Sequence, residues 1–116
     1  MEVRYKTKKL QKICENYKLA QKEFGQDIAK KLFQRLNELK AAKSLYDISC
    51  LPATGFHKLE GSRKGQYAVY LVHPFRLVFT SIISPSENQT QNDIDLSKIV
   101  IIQIEEVIDY HGKEKR

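Results

Sequence analysis

The spacing of apolar residues changes once along this chain, and that change limits the folds open to it. Leu10, Ile13, Cys14, Tyr17 and Ala20 recur at helical intervals and form one stripe. Thr7 is placed to cap the start of this helix, and Gly25 to end it with a left-handed residue. A second stripe follows in Ile28, Ala29, Leu32, Phe33, Leu36 and Leu39, with Lys30, Lys31, Gln34, Arg35 and Glu38 occupying much of the rest. So few residues part the two stripes that the helices are expected to pack as an antiparallel hairpin.

From about residue 45 the period becomes that of strands. Pro52 and Gly55 punctuate a loop, and 56–59 fit a short strand. Residues 66–72 are rich in aromatic and β-branched types; His73-Pro74 interrupts the run, and 75–80 resume it with Phe75, Leu77 and Phe79 on one face and Arg76 on the other. The last strand is expected over 98–108, with Val100, Ile102, Ile104 and Ile108 in one parity and Gln103 and Glu105 in the other. Residues 1–6 alternate weakly around Val3 and Tyr5 and fit a first strand. Residues 84–93 are polar, contain Pro85 and have no period, so they read as an exposed, mobile loop. The order β-α-α-β-β-β-β predicts an α+β fold in one domain, 1–116: an N-terminal helical hairpin packed on an antiparallel or mixed sheet of four or five strands.

Composition narrows the function classes. No run of the 116 residues approaches the ~18 apolar residues of a membrane span. The start Met1-Glu2-Val3-Arg4-Tyr5-Lys6 has no apolar leader segment, so the expected location is the cytoplasm, without membrane contact. Cys14 and Cys50 lack metal-type spacing and read as free thiols, Cys14 in the core. The net charge of +6 is unevenly placed: residues 1–43 hold 12 Lys/Arg against 5 Asp/Glu, and 84–116 hold 4 against 7. A basic N-terminal half fits a polyanion or an acidic protein as partner, or simply a solvated lysine-rich helix surface.

No phosphate-binding glycine loop, dinucleotide fingerprint or serine-hydrolase elbow is present, and no His/Cys cluster has metal-ligand spacing, so neither a cofactor nor a metal is expected. His57, His73 and His111 each sit near a turn, and His73 reads as a residue of the hairpin turn itself. Histidine, arginine, lysine and tyrosine in a basic protein suit RNA cleavage without a metal. The 2′-hydroxyl attacks the adjacent phosphorus, a base takes its proton, an acid protonates the leaving 5′-oxygen, and a cation stabilises the phosphorane. Imidazole serves as base or acid near neutrality, and guanidinium pairs with phosphate oxygens.

The run His57-Lys58-Leu59-Glu60-Gly61-Ser62-Arg63-Lys64-Gly65-Gln66-Tyr67-Ala68-Val69 resembles the central block of HigB-type toxins of the RelE/ParE superfamily. The resemblance continues in Phe75-Arg76-Leu77-Val78-Phe79 and in the ending Asp109-Tyr110-His111, and it covers about residues 3–113. It implies a microbial-ribonuclease-like fold and a toxin of a type II toxin–antitoxin system. Its expected activity is that of a ribosome-dependent endoribonuclease, cutting mRNA in the ribosomal A site and so inhibiting translation. The expected partners are mRNA, the ribosome and a helix-turn-helix, HigA-like antitoxin, with operator DNA reached only through that antitoxin.

Carried over by position, His57, Arg76, Tyr110 and His111 form the catalytic set, with Asp109 beside them, and Lys58, Arg63 and Lys64 hold RNA phosphates. His57 or His111 moves the proton, Arg76 stabilises the phosphorane, and Tyr110 stacks on a base or orients the attack. Glu60 departs from the pattern, since some HigB toxins carry lysine there and a carboxylate repels phosphate. Two other readings stand beside this one: a non-enzymatic, ParE-like poison of DNA gyrase, and a degenerate toxin that only binds its antitoxin.

Overall fold

The computed structural model describes residues 1–82 and 94–109. Its elements are β1 (Glu2–Tyr5), α1 (Lys8–Glu15), α2 (Tyr17–Phe24), α3 (Gln26–Ala41), α4 (Leu45–Ser49), β2 (His57–Lys58), β3 (Gln66–Tyr70), β4 (Phe75–Ser81) and β5 (Ile101–Asp109). The fold is α+β, but its helical part is not the simple hairpin that the stripes predict.

The first stripe is split. Thr7 caps α1 as expected, its hydroxyl accepting from the Leu10 N–H at 3.1 Å. At Asn16, however, the backbone becomes extended and the side chain accepts from the Leu19 N–H at 3.2 Å, starting a new helix. Asparagine gives up helical geometry readily because its side chain satisfies amide groups freed at a break. Gly25, at φ 90°, ends α2 and leads into α3. A fourth short helix, α4, lies where the strand region was expected to begin; its Leu45 and Ile48 are fully buried.

The sheet has five strands in the order β1-β5-β4-β3-β2. It is mixed: β1 runs parallel to β5, and the remaining pairs are antiparallel. Leu32, Leu36 and Leu39 of α3 pack with Tyr67, Val69, Leu77, Phe79, Ile102, Ile104 and Val107 to form the main core. Truncating one such leucine to alanine typically costs ~2–5 kcal/mol. Among the described residues, the opposite face of the sheet carries a small apolar cluster, Leu59, Ala68, Val78 and Ile108.

One irregularity changes which residues of β5 reach each face. Val78 pairs with Glu106 and Phe79 with Ile104, so Glu105 is an extra residue, a β-bulge. Beyond it the parity reverses. Val107, not Ile108, joins the helical core, Ile108 goes to the other face, and Val100 lies exposed before the strand begins. The bulged carboxylate is held by the Thr80 hydroxyl at 3.2 Å, the Gln103 amide at 2.8 Å and the Lys6 ammonium at 3.5 Å.

Arg35, placed outside the apolar stripe of the second helix, is buried in the structure, with its side chain 5% exposed. The 84–93 loop, Tyr110 and His111 lie outside the described residues. Cys14 is a buried free thiol and Cys50 an exposed one. No helix among the described residues is long and apolar enough to cross a membrane.

Candidate active site

Strand alternation determines which candidate residues share a face. His57 pairs with Ala68 across β2 and β3, and Arg76 pairs with Tyr70 across β3 and β4. Both pairs have the parity of the small apolar cluster, on the face away from the helices. The fold therefore brings His57, Tyr70 and Arg76 onto one accessible surface, although 19 positions separate the first and last in sequence.

Tyr70 joins the other two. The guanidinium carbon of Arg76 lies 4.3 Å from the centre of the Tyr70 ring, a cation–π contact. The His57 ring centre lies 6.1 Å from the same ring, tilted by 55°. The ring contact holds the guanidinium on one side, and its Nη1 donates to the carbonyls of Pro74 and Phe75 at 3.3 and 3.4 Å. The Tyr70 side is 44% exposed, so this assembly is open to a ligand. Beside it is a depression of about 350 Å³ whose lining, among the described residues, includes Tyr70, Leu71, His73 and Arg76.

His57 is oriented by the preceding turn. Its Nδ1–H donates to the Gly55 carbonyl at 2.8 Å. A carbonyl can only accept, so the proton of the neutral ring sits on Nδ1 and the lone pair on Nε2. That tautomer provides a base on the ring edge remote from the backbone. The turn itself is tightly tied: a 3-10 turn spans Pro52–Thr54, and the buried Thr54 hydroxyl donates to the Leu51 carbonyl at 2.8 Å and accepts from the Phe56 N–H at 3.3 Å.

The basic residues of β2 and of the loop that follows it divide into two kinds. Lys58 and Lys64 are exposed. Arg63 instead folds back over the sheet, meeting Glu106 of β5 at 2.8 Å and Gln66 at 2.9 Å. This pair is partly buried, with side-chain exposures of 29% and 17%. The β-bulge makes the contact possible by turning Glu106 to this face. Glu60 is exposed and starts the 3-10 turn at Gly61–Arg63. Asp109 closes β5 opposite Phe75, one step from Ile108, the β5 partner of Arg76. By strand alternation its position belongs to the parity opposite that of Arg76.

Sequence reasoning missed Tyr70, Gly55 and Arg35 as members of this assembly. The signals were present. Tyr70 shares the parity of Gln66 and Ala68, not that of buried Tyr67 and Val69. Arg35 falls between Leu32 and Leu36 within the apolar stripe.

Across residues 3–97, the chain matches the family model described as the RelE-like toxin of type II toxin–antitoxin system HigB. No curated relative and no solved structure matches the chain.

Proposed function

This chain belongs to the RelE-like HigB toxin family of type II toxin–antitoxin systems, and from that premise we propose that it is a ribosome-dependent endoribonuclease that inhibits translation. The observation that carries the reading is the placement of His57 and Arg76 against one Tyr70 ring on an open, non-helical sheet face. A proton-transfer group and a phosphate-binding cation side by side are what metal-free cleavage by a 2′-hydroxyl requires.

In this mechanism the scissile phosphate lies over the depression beside Tyr70. Arg76 stabilises the charge that develops on the phosphorane. Its place is set in advance by the aromatic ring and the Pro74 and Phe75 carbonyls, so little reorganisation accompanies the reaction. His57 Nε2 takes the 2′-proton and His111 protonates the leaving 5′-oxygen, or the two exchange these roles. Tyr110 stacks on a base or orients the attack, and Asp109 supports the end of β5. Lys58 of β2 and Lys64 of the adjoining loop supply phosphate contacts; these dominate affinity and make it salt-dependent. The cognate partner is an antitoxin, proposed to be a HigA-like helix-turn-helix protein that also links the complex to operator DNA.

The test is to map new 5′ ends on a translated mRNA by primer extension, for the wild-type chain and for His57→Ala, Arg76→Ala and His111→Ala. Ribosome-dependent cuts that are lost with Arg76 and with at least one histidine are expected. Growth arrest without cuts would replace this reading with a gyrase-type poison. Neither cuts nor arrest would leave a chain that only binds its antitoxin.

A further inference from the structure

Arg35 is the one buried charged residue of α3 among the described residues, and the mechanism above gives it no part. Its guanidinium is used on three sides. Nε donates to the Tyr70 carbonyl at 2.8 Å, Nη2 to the Ala53 carbonyl at 2.7 Å, and Nη1 to Glu38 Oε1 at 2.9 Å. The first two acceptors are main-chain atoms of separate segments, the end of β3 and the turn before β2. Tyr70 carries the ring on which Arg76 stacks. Ala53 lies two residues before Gly55, whose carbonyl holds the His57 imidazole and whose Cα faces the Tyr70 ring.

We infer that Arg35 is a positioning residue: from beneath the site it fixes the separation of His57 from the Tyr70–Arg76 stack. Burying a charge is costly unless every donor direction is satisfied, and a simple packing role in an apolar stripe would be met by leucine or methionine. The planar fork can reach two carbonyls and a carboxylate at once, which a lysine ammonium on a flexible stem cannot reproduce. The two carbonyls at the ends of this bridge belong to the two halves of the proposed active site, so the inference rests on the nuclease reading for its consequence but not for its geometry.

The experiment compares Arg35→Lys with the wild-type chain in two measurements. The first is the single-turnover rate of mRNA cleavage on programmed ribosomes, taken with the ribosome concentration at half-maximal rate. The second, independent of activity, is the nitrogen-15 spectrum of the His57 imidazole with the ring resonances of Tyr70. A folded variant is expected to keep its half-saturation point and lose about 10²-fold in plateau rate, the scale of a small misplacement of reacting groups. Its His57 signals should leave the Nδ1–H tautomer position and its Tyr70 signals should shift. A folded variant with unchanged rate and unchanged ring signals would overturn the inference. So would a rate loss that follows only the unfolded fraction.

If the wild-type chain itself makes no cuts, the nuclease reading fails, and the ring signals alone decide whether Arg35 positions His57 and Tyr70. If Arg35→Lys does not fold, Glu38→Gln is measured in the same way. It leaves both carbonyl bonds in place and removes the anionic support of the fork. Slower cleavage with shifted ring signals supports the inference, and wild-type values for both overturn it.

Discussion

A methyl group added to Gly55 would lie 2.1 Å from Cδ2 of Tyr70. The bare Cα is what lets the ring settle against the turn and present itself to Arg76. Gly55 also has φ 61°, a left-handed conformation that side chains disfavour. Gly55→Ala is therefore expected to destabilise the protein by about 1–3 kcal/mol through overpacking and strain. It should slow cleavage by more than the lost stability explains, because the ring must move away from its place beside His57 and Arg76. Thermal unfolding together with cleavage by the fraction that remains folded checks this; wild-type activity per folded molecule would refute it.

Arg76→Lys keeps the charge and loses the plane. An ammonium cannot lie flat on the Tyr70 ring while offering a paired fork to phosphate. Loss of about 10²–10³-fold in cleavage rate is expected, the scale of removing one transition-state donor. Ribosome binding should change little. Equal activity of the lysine variant would show that charge alone suffices at this position.

Lys58 and Arg63 should respond differently, although both are basic and lie close together in the chain. Lys58 is exposed, so Lys58→Ala is expected to weaken RNA binding and lower the salt-dependence slope by about 1. Arg63 is tied to Glu106 and Gln66. Arg63→Ala should instead lower stability, by about 1 kcal/mol after allowance for solvent screening of a partly exposed pair. Affinity measured against salt concentration, beside denaturant unfolding, separates the two. If both variants change only the salt slope, the Arg63–Glu106 tie has no structural weight.

Stability should fall in alkali. Burial pushes the Cys14 thiol up from 9.0 to about 12, with the nearby Glu15 adding and Lys40 opposing. Burial likewise raises the Tyr5 hydroxyl from 10.0 to about 12, with smaller contributions from Cys14 and Glu15. Each is an acid whose pKa is higher folded than unfolded. Between those values the unfolded chain has released a proton that the folded chain retains. The stabilisation is thus complete below about pH 9 and is lost as pH rises towards 12. Cys14→Ala should remove the part that begins near 9.0 and leave the part from Tyr5 that begins near 10.0. Urea midpoints that stay level from neutrality through this range would contradict the assignment.

Much of this architecture was legible where one local rule acts alone. Thr7 capped its helix, Gly25 ended its own, and Phe75, Leu77 and Phe79 alternated as read, because capping, left-handed backbone and a two-residue period depend on near neighbours. The failures arose where tertiary demands overrode a local pattern. The stripe through Cys14 and Tyr17 continues smoothly in sequence, yet Asn16 breaks it, and Tyr17 then meets Phe33 edge-on at 5.3 Å. The bulge at Glu105 depends on pairing with β4, so the parity of Ile108 could not be read from β5 alone. At the site, residue types in the central block drew attention to His57 and Arg76. The place of Arg35 inside the apolar stripe marks it as buried, but the main-chain carbonyls it binds, and the close approach that Gly55 allows by lacking a side chain, are set by tertiary packing and leave no mark on a one-dimensional pattern.

The position of β5 in the sheet has a consequence for biosynthesis. This strand is the last of the described elements to be made, yet it lies inside the sheet, between β1 and β4. Among the described strands β1 pairs with β5 alone, so its pairing waits for the segment from Val100 to Asp109 to emerge. Closing such distant pairings is the slow part of folding. A product truncated ahead of β5 is therefore β1 parted from the β4-β3-β2 strands rather than a smaller toxin.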